Sequence, residues 1–353
     1  MGGDRGPGAI LEGAMEALPA LEGELTIVGD EPVLTALLQS TRKLAPLAKA
    51  IAQGANRARC QVRIEHAPEV IEMGDTIRSL RSKPNASINV GCRMAAQSWK
   101  DRKSGECSAF ISTGHSGAMM ASALMHMGRL GKVERPAIAI TLPTLSVDGC
   151  TILDVGANVD CKPEHLRDFA VMGALFAQVD RKSSSLPRVG VLSNGEERSK
   201  GNELTRQSVA LIEKLPCFSE GLEIAKFIGY VESKEIFKGQ VDVVVTDGFV
   251  GNIVLKSLEG LGFAVVQTLK DEAKRNPFSS IGLLLSAGVL RRLKRKLDYA
   301  EYGAAPLLGV AGYAFICHGR SNPKAIHNAL LRAQSALRKR IVERLEEALE
   351  KGF

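Results

Sequence analysis

One pattern recurs along this chain and restricts its fold more than any other feature: a short apolar run, a loop of small polar residues, and an amphipathic helical segment. The apolar runs lie at 109–111, 151–153, 189–192, 241–245 and 314–317. Strands that alternate with helices in this way are typical of a parallel sheet covered by helices on both faces. We therefore predict a doubly wound, mostly parallel α/β fold, Rossmann-like in architecture, for a chain of 353 residues.

The segment 189–215 shows this pattern most completely. Its strand ends before Gly195, and its helix carries apolar residues along one face. Between them, Gly201 lets backbone approach a ligand, Asn202 can cap the helix, and Lys200 supplies a positive charge. In an open parallel sheet, ligands bind at loops of this kind. Taken alone, the loop fits an ordinary strand-to-helix turn with solvated charges equally well.

Charge and composition narrow the class of partner. The formal net charge of +7 favours an anionic partner such as phosphate, an acidic protein or a membrane surface. Only 5% of the residues are aromatic, which argues against stacking on single-stranded nucleic acid. The sequence has no Walker A motif and no GxGxxG after a strand, so nucleotide binding lacks specific support. We predict no nucleic-acid partner.

The distribution of cysteine and histidine argues against metal and disulfide frameworks. Seven cysteines are dispersed without a CxxC pair, and six histidines without an HExxH motif. This usage favours a reducing cytosol, and we predict neither a metal nor a cofactor. The N-terminal residues do not resemble a signal peptide, and no uninterrupted apolar run reaches the ~20 residues that a membrane-spanning helix requires.

The polar loops are the candidate functional region. Because the carboxyl ends of parallel strands meet at one edge, all five loops are expected to project from the same edge and to present N–H groups to an oxyanion. The thiols and imidazoles in these loops belong to Cys161, Cys317, His115 and His318. Buried structural positions are favoured for the thiols, and polar contacts or helix caps for the imidazoles. For Asp154, Asp160 and Asp247, a base, a metal ligand and a backbone hydrogen-bond acceptor all remain open.

Several blocks of sequence resemble one known family, the phosphate acyltransferases of bacterial phospholipid synthesis (the PlsX type). The similar blocks are MGGD (1–4), HAPEVIEM (66–73), STGHSGA (112–118), ERPAIAITLPT (134–144), DVGANVDCKPEHL (154–166), NGEERSKGNELT (194–205), DVVVTDGFVGNIVLK (242–256), DYAEYGAAPLLGV (298–310) and HGRSNPKAI (318–326). They extend over nearly the whole chain. The resemblance also implies the fold of isopropylmalate dehydrogenases and phosphotransacetylases.

The resemblance implies a reaction in which orthophosphate attacks the thioester of an acylated acyl carrier protein, giving acyl phosphate and free carrier. This chemistry needs no protein nucleophile, because phosphate is already anionic and a thiol leaves readily as thiolate. The site must hold phosphate in line and stabilise the oxyanion. We predict Lys200 as the residue that stabilises charge, with Asn194 and Asn202 shaping the site. The other loop residues predicted to contact the substrates are Gly3, Asp4, Ser112, Thr113, Gly114, Ser116, Gly117, Asn158, Gly195, Gly201, Asp247, Gly248, Gly251, Asn252 and Asn322.

Three features depart from the pattern of the family. Relatives have a strand ahead of MGGD, whereas this sequence starts within that block. Arg5 stands where the family commonly has His, and His115 where it commonly has Asn. Roles attached to these two positions in the family are therefore not carried over to this chain.

A second region points to membranes. Residues 276–290 carry no charge, and a run of basic residues follows at 291–296. An apolar tip with a basic collar suits contact with anionic lipid. A core helix or a dimer interface is the alternative, and the collar suits the acidic carrier protein equally well. The residues predicted to contact the membrane are Ile281, Leu283, Leu284, Leu285, Val289 and Leu290.

The whole sequence is thus expected to form one α/β/α domain over 1–353, with a protruding helical tip at 270–300 and a C-terminal helix at 323–353. We expect a cytoplasmic homodimer at the inner face of the membrane that supplies a downstream glycerol-3-phosphate acyltransferase. The alternatives are a phosphotransacetylase that uses acyl-CoA and a non-catalytic membrane scaffold for lipid-synthesis enzymes. A related-fold dehydrogenase is weaker, since no dinucleotide motif is present.

Overall fold

The computed structural model describes residues 3–54, 59–72, 74–103, 107–218, 224–275 and 303–350, together with residues 282, 285–289 and 292. The strands are β1 (Gly23–Gly29), β2 (Cys60–His66), β3 (Ala109–Ser112), β4 (Ala137–Ile138), β5 (Ile140–Leu142), β6 (Cys150–Leu153), β7 (Arg188–Leu192), β8 (Lys226–Val231), β9 (Val243–Val245), β10 (Ala305–Leu308) and β11 (Tyr313–Ile316).

The helices account for the other half of the architecture. They are α1 (Gly6–Ala17), α2 (Glu31–Ser40), α3 (Ala45–Gln53), α4 (Ser79–Ser82), α5 (Ser87–Lys100), α6 (Ser116–His126), α7 (Pro163–Asp180), α8 (Glu203–Ile212), α9 (Ser233–Lys238), α10 (Gly248–Arg275), α11 (Pro323–Arg338) and α12 (Ile341–Glu350). Each of the five predicted strand–loop–helix units is present, and the predicted α/β fold class is confirmed.

The strands form three hydrogen-bonded groups, in the orders β1-β2, β3-β11-β10-β4 and β5-β6-β9-β7-β8. Only Ala139 separates β4 from β5. Reversal of an extended chain requires a turn of at least two residues, so β5 continues in the direction of β4. This extended stretch, 137–142, pairs antiparallel with β10 through β4 and antiparallel with β6 through β5.

These pairings divide the polar loops between two opposite edges. β3 runs parallel to β11, and β10 runs antiparallel to both β11 and β4, so β3, β11 and the 137–142 stretch share one direction. β6 opposes that stretch, and β9 and β7 run parallel to β6. The expectation that all five loops share one edge is therefore wrong. The strand–loop–helix pattern shows that each loop follows the end of its own strand. It does not show that β6 runs in the opposite direction to β5.

We call the loops after β3 and β11 the first edge, and the loops after β6, β7 and β9 the second edge. α10 connects them, since it begins after β9 at the second edge and runs back along the sheet. At 1.5 Å per residue its 28 residues extend about 42 Å. A residue eight positions into α10 therefore lies about 12 Å from the second edge, roughly the length of a short strand.

Two helices, α7 and α1, pack closely against neighbouring elements and contribute to the core. α7 packs on β6, β7 and β9, and Leu166, Phe169 and Met172 are fully buried there. α1 packs along α11, where Gly13 permits the approach: a Cβ at this position would lie 2.5 Å from the carbonyl oxygen of Pro323. The contact between α1 and α11 holds the N-terminal residues against the first edge.

Two helical regions are interrupted. The region 31–53 is divided into α2 and α3 by an extended residue, Thr41, and a short 3₁₀ turn. The helix expected from 323 to the C-terminus is divided into α11 and α12, with Arg340 in the left-handed region at φ 52°. Hydrophobic periodicity along a segment does not reveal that one residue within it has non-helical backbone angles.

A cleft of about 1570 Å³ lies between β1 and β3, lined by α1, α5 and α11. β1 pairs with β2, and β3 pairs with β11, so each strand presents its other edge to this cleft within the described structure. Ahead of α1, the described chain from Gly3 to Arg5 is a turn.

Candidate functional site

The first edge joins three segments that are far apart in sequence. The backbone N–H of Asp4 donates to the carbonyl of Gly319 over 2.9 Å. The N–H of Cys317 donates to the carbonyl of Ser112 over 2.8 Å, which aligns the ends of β11 and β3. Gly3 and Asp4 therefore lie beside the STGHSG and HGRSNP loops, and all three segments contain residues predicted to contact substrates.

Ionisable groups gather at this edge. The Nζ atom of Lys256, eight residues into α10, lies 3.3 Å from Nε2 of His318 and 2.8 Å from Oε2 of Glu259. The Nε atom of Arg320 lies 3.9 Å from a carboxylate oxygen of Asp4. Desolvation of the ring, followed by the nearby Lys256 charge, lowers the pKa of His318. His318 is therefore neutral at physiological pH.

Sequence reasoning did not single out Lys256. It ends the DVVVTDGFVGNIVLK block, eleven residues beyond the end of β9 at Val245. Three-dimensional proximity arises because α10 carries it back along the sheet to the other edge. Only the direction of strand pairing could have revealed this neighbour.

Several predicted side chains at the first edge act as helix caps. His115 Nδ1 accepts from the N–H of Ala118 at the start of α6, so the interpretation of this imidazole as a cap is confirmed. Asn322 Oδ1 accepts from the N–H of Ala325 at the start of α11. Arg5 precedes α1 without a capping hydrogen bond. The capped helices leave their first-turn N–H groups facing this edge.

The second edge is organised by a buried carboxylate. Asp154 is fully buried and accepts hydrogen bonds from the backbone N–H groups of Ile138, Gly156, Ala157 and Asn158 and from the Asn158 side-chain amide. Burial raises the pKa of Asp154, and these donors act in the opposite direction. The donors surround the carboxylate, so its role is to hold the 154–158 loop in shape. Of the three roles left open for Asp154 (base, metal ligand and backbone hydrogen-bond acceptor), the structure therefore supports the hydrogen-bond acceptor.

The start of α10 packs against the 154–158 loop that Asp154 organises. The N–H of Gly248 donates to the carbonyl of Asn158 over 2.7 Å, and a Cβ at Gly251 would lie 1.9 Å from the Asp154 carbonyl oxygen. Asp247 Oδ1 accepts from the N–H of Val250 and caps the helix. Asn158, Gly248, Gly251 and Asn252 are thus brought together, in close packing around Asp154.

The loop after β7 forms its own cluster. Asn194 Oδ1 accepts from the N–H of Gly201 over 2.9 Å, and Asn202 Oδ1 accepts from the N–H of Thr205, which caps α8. Lys200 is exposed, and among the described residues it takes part in no ion pair. No hydrogen bond among the described residues connects this loop to the first edge.

The loop thiols are not activated. Cys317 is buried, and burial raises its pKa to about 12. Cys161 is half-buried, and burial followed by the Asp154 charge raises its pKa to about 12 as well. Both are protonated at neutral pH and are poor nucleophiles. No group of three or more potential metal-ligating residues occurs within the described ranges.

The fold and these loops define an α/β protein whose sheet edges carry helix N-termini and cationic side chains. The chain belongs to the family described as "Fatty acid synthesis protein", which matches residues 1–344. It is 44% identical to a phosphate acyltransferase of Geobacter sulfurreducens, over all of this chain and 93% of that protein. It is 41% identical to a phosphate acyltransferase of Synechococcus elongatus, over 99% of this chain and 93% of that protein. The resemblance stated above is confirmed.

Among solved structures, the chain is similar to the EutD phosphotransacetylase of Staphylococcus aureus. The TM-score is 0.49 at 15% identity, and the match covers 93% of this chain and 99% of that one. A branched-chain phosphotransacylase of Enterococcus faecalis has a TM-score of 0.46 at 12% identity, covering 89% and 99%.

Replacing Asp154 tests the role of its carboxylate. Asp154→Asn leaves one acceptor oxygen and places an NH₂ group beside N–H donors. We expect a loss of about 2–4 kcal/mol in the free energy of unfolding, measured by urea titration, because buried donors lose their acceptor. Asp160→Asn, at an exposed position of the same loop, serves as the control and should change stability by less than about 0.5 kcal/mol. Equal stability of the two variants would contradict the role given to Asp154.

Proposed function

We propose that this chain is a phosphate acyltransferase that converts an acylated acyl carrier protein and orthophosphate into acyl phosphate and free carrier. The observation that carries the proposal is the family match over residues 1–344, together with relatives of 41–44% identity named phosphate acyltransferase. The chain covers more than nine-tenths of the length of these relatives.

The proposed reaction suits the chemistry of the loops. An oxygen of phosphate attacks the thioester carbon, the C–S bond breaks, and the carrier leaves as thiolate, which then takes a proton from solvent. No step requires a protein nucleophile, in agreement with the protonated state of Cys161 and Cys317. The protein's tasks are to position phosphate and to stabilise negative charge on the carbonyl oxygen. Exposed cations and first-turn N–H groups support both tasks.

The predicted role of Lys200 can be tested in the assay that tests the function. The wild-type chain, given palmitoyl-carrier protein and labelled phosphate, should form acyl phosphate. Lys200→Ala should lower turnover tenfold or more, because a charge-assisted hydrogen bond contributes ~1.5–3 kcal/mol.

Arg198→Ala removes a charge from the same loop and is the control, expected to retain activity within twofold. A Lys200→Ala variant with wild-type turnover at saturating phosphate rules out the assignment. If palmitoyl-CoA replaces the carrier substrate without loss of rate, the activity is that of a phosphotransacetylase. Absence of product from either thioester favours the scaffold alternative.

We propose that the chain forms a homodimer through α10. This helix exposes apolar side chains along its length, including Ile253, Leu261 and Phe263, with 72% of Phe263 exposed. Within the described residues, Gly248–Glu272 is the one helix apolar and long enough to cross a membrane by composition and length, and only 6% of its apolar 18-residue window is buried. Helices with an uncovered apolar face usually lie at an interface.

Phe263→Asp should prevent this dimerisation, because it places a charge in the apolar face. Sedimentation velocity should show twice the chain mass for the wild type and the single-chain mass for Phe263→Asp. Val33→Asp, on α2, is the matched control and should remain dimeric. A monomeric wild type at micromolar concentration, or a dimeric Phe263→Asp variant, would show that α10 is not the interface.

We further propose peripheral contact with anionic lipid through the predicted tip. Of the residues named for this contact, Leu285 and Val289 are 84% and 59% exposed, whereas Ile281, Leu283, Leu284 and Leu290 lie outside the described residues. Acyl phosphate is a reactive mixed anhydride that carries an acyl chain. Formation at the inner membrane face would deliver it directly to a downstream glycerol-3-phosphate acyltransferase.

Charges at the tip should abolish this lipid contact. The double variant Leu285→Asp with Val289→Asp should lose flotation with phosphatidylglycerol vesicles, because burying a carboxylate opposes insertion. Leu145→Asp changes an equally exposed leucine (80%) on another loop and should float like the wild type. Unchanged flotation of the double variant would refute the tip as the lipid-binding element.

A further inference from the structure

The Lys256–His318 contact at the first edge brings a cation and an imidazole nitrogen close together. His318 Nδ1 lies 3.1 Å from the backbone nitrogen of Arg320 and accepts its N–H. A neutral imidazole that accepts at Nδ1 carries its proton on Nε2. Nε2 therefore carries a proton and lies 3.3 Å from Lys256 Nζ, which is also a donor. An oxyanion beside the two groups can accept a hydrogen bond from each of them.

We propose that Lys256 and His318 together bind the orthophosphate substrate at the first edge. This inference rests on the proposed function and adds the residues and the edge at which phosphate is held. Lys256 supplies the charge, and the Nε2–H of His318 supplies a directed hydrogen bond to a second phosphate oxygen. Both side chains would contact substrate, so they are binding residues of the reaction.

The surroundings fix the positions of both groups. Glu259 lies one helical turn beyond Lys256 on α10 and contacts its ammonium at 2.8 Å, which limits the directions that the lysine can take. Arg320 holds the ring of His318 through its backbone and lies 3.9 Å from the carboxylate of Asp4 through its side chain. The groups that face the pair thus include one further cation and two carboxylates.

The same loop contains a buried hydroxyl that the described protein does not satisfy. Ser321 is 4% exposed, and its Oγ has no hydrogen-bond partner among the described residues. Its own N–H donates to the carbonyl of His318. Buried polar atoms are nearly always paired, so an unpaired one in a loop at a helix N-terminus marks a place that a ligand completes.

Phosphate kinetics separate this role from a structural one. Lys256→Ala should raise the KM for phosphate about tenfold or more and leave the KM for palmitoyl-carrier protein within twofold, since of the two substrates the lysine would contact phosphate alone. Lys256→Arg should recover most of the loss. His318→Ala should also raise the phosphate KM, and His318→Gln should recover part of it, because the amide restores an N–H donor.

The control is Lys270→Ala, which removes a lysine from the same helix and should behave as the wild type. Calorimetric titration with inorganic phosphate provides a readout that is independent of turnover: wild type should bind, and Lys256→Ala should bind at least tenfold more weakly. If the wild type is inactive, the proposed function is refuted. The calorimetric titration then still decides whether Lys256 binds phosphate. Wild-type phosphate binding and KM in Lys256→Ala, or equal rises in both KM values, would overturn the inference.

Discussion

The antiparallel pairing of the extended stretch 137–142 is the constraint on which the rest of the structure depends. β10 pairs with it on one side and β6 on the other, so the strands on its two sides lie in opposed directions. A loop at the carboxyl end of a strand must lie at whichever edge that strand points to. The pairing therefore decides which polar loops share a site. It places the STGHSG and HGRSNP loops together, beside Gly3 and Asp4, and separates them from the loops after β6, β7 and β9.

The two edges differ in whether their polar groups are buried in hydrogen bonds within the protein or exposed at the surface. At the second edge, Asp154 and Asn158 satisfy each other and the surrounding N–H groups, so their hydrogen-bonding capacity is used within the protein. At the first edge, the cations of Lys256 and Arg320 are exposed, with Glu259 and Asp4 as their carboxylate partners. Buried networks of the first kind rigidify a loop, whereas exposed donors of the second kind remain available to an anion.

Much of this organisation could be predicted from the sequence. The five strand–loop–helix units at 109–126, 151–180, 189–212, 241–275 and 314–338 follow from hydrophobic periodicity, which reports the face that each element buries. Caps such as Asn202 and Asn322 follow from local chemistry as well. Such signals depend on neighbours within one or two turns, and that is the range over which sequence spacing constrains geometry.

The parts that could not be predicted all depend on contacts between distant segments. Short strands such as β4, β5 and β10 carry too few residues for a periodic signal, yet they set the direction of everything beyond them. Lys256 illustrates the consequence: its distance from His318 along the chain is 62 residues, and only the course of α10 across the sheet brings them together. Lys200 was conspicuous in sequence because it lies in a loop, whereas Lys256 lay inside a helix.

The absence of an activated thiol among the loop residues is consistent with the chemistry that the family carries out. Covalent catalysis by cysteine requires a thiolate, and burial keeps Cys317 protonated. A reaction in which phosphate itself attacks the thioester has no such requirement, because the nucleophile arrives already charged. What it requires is that the phosphate anion lie beside the carbonyl carbon and that the negative charge developing on the carbonyl oxygen be stabilised. Fixed cations and N–H groups meet that requirement, and they do so without any residue that must change its bonding during the reaction.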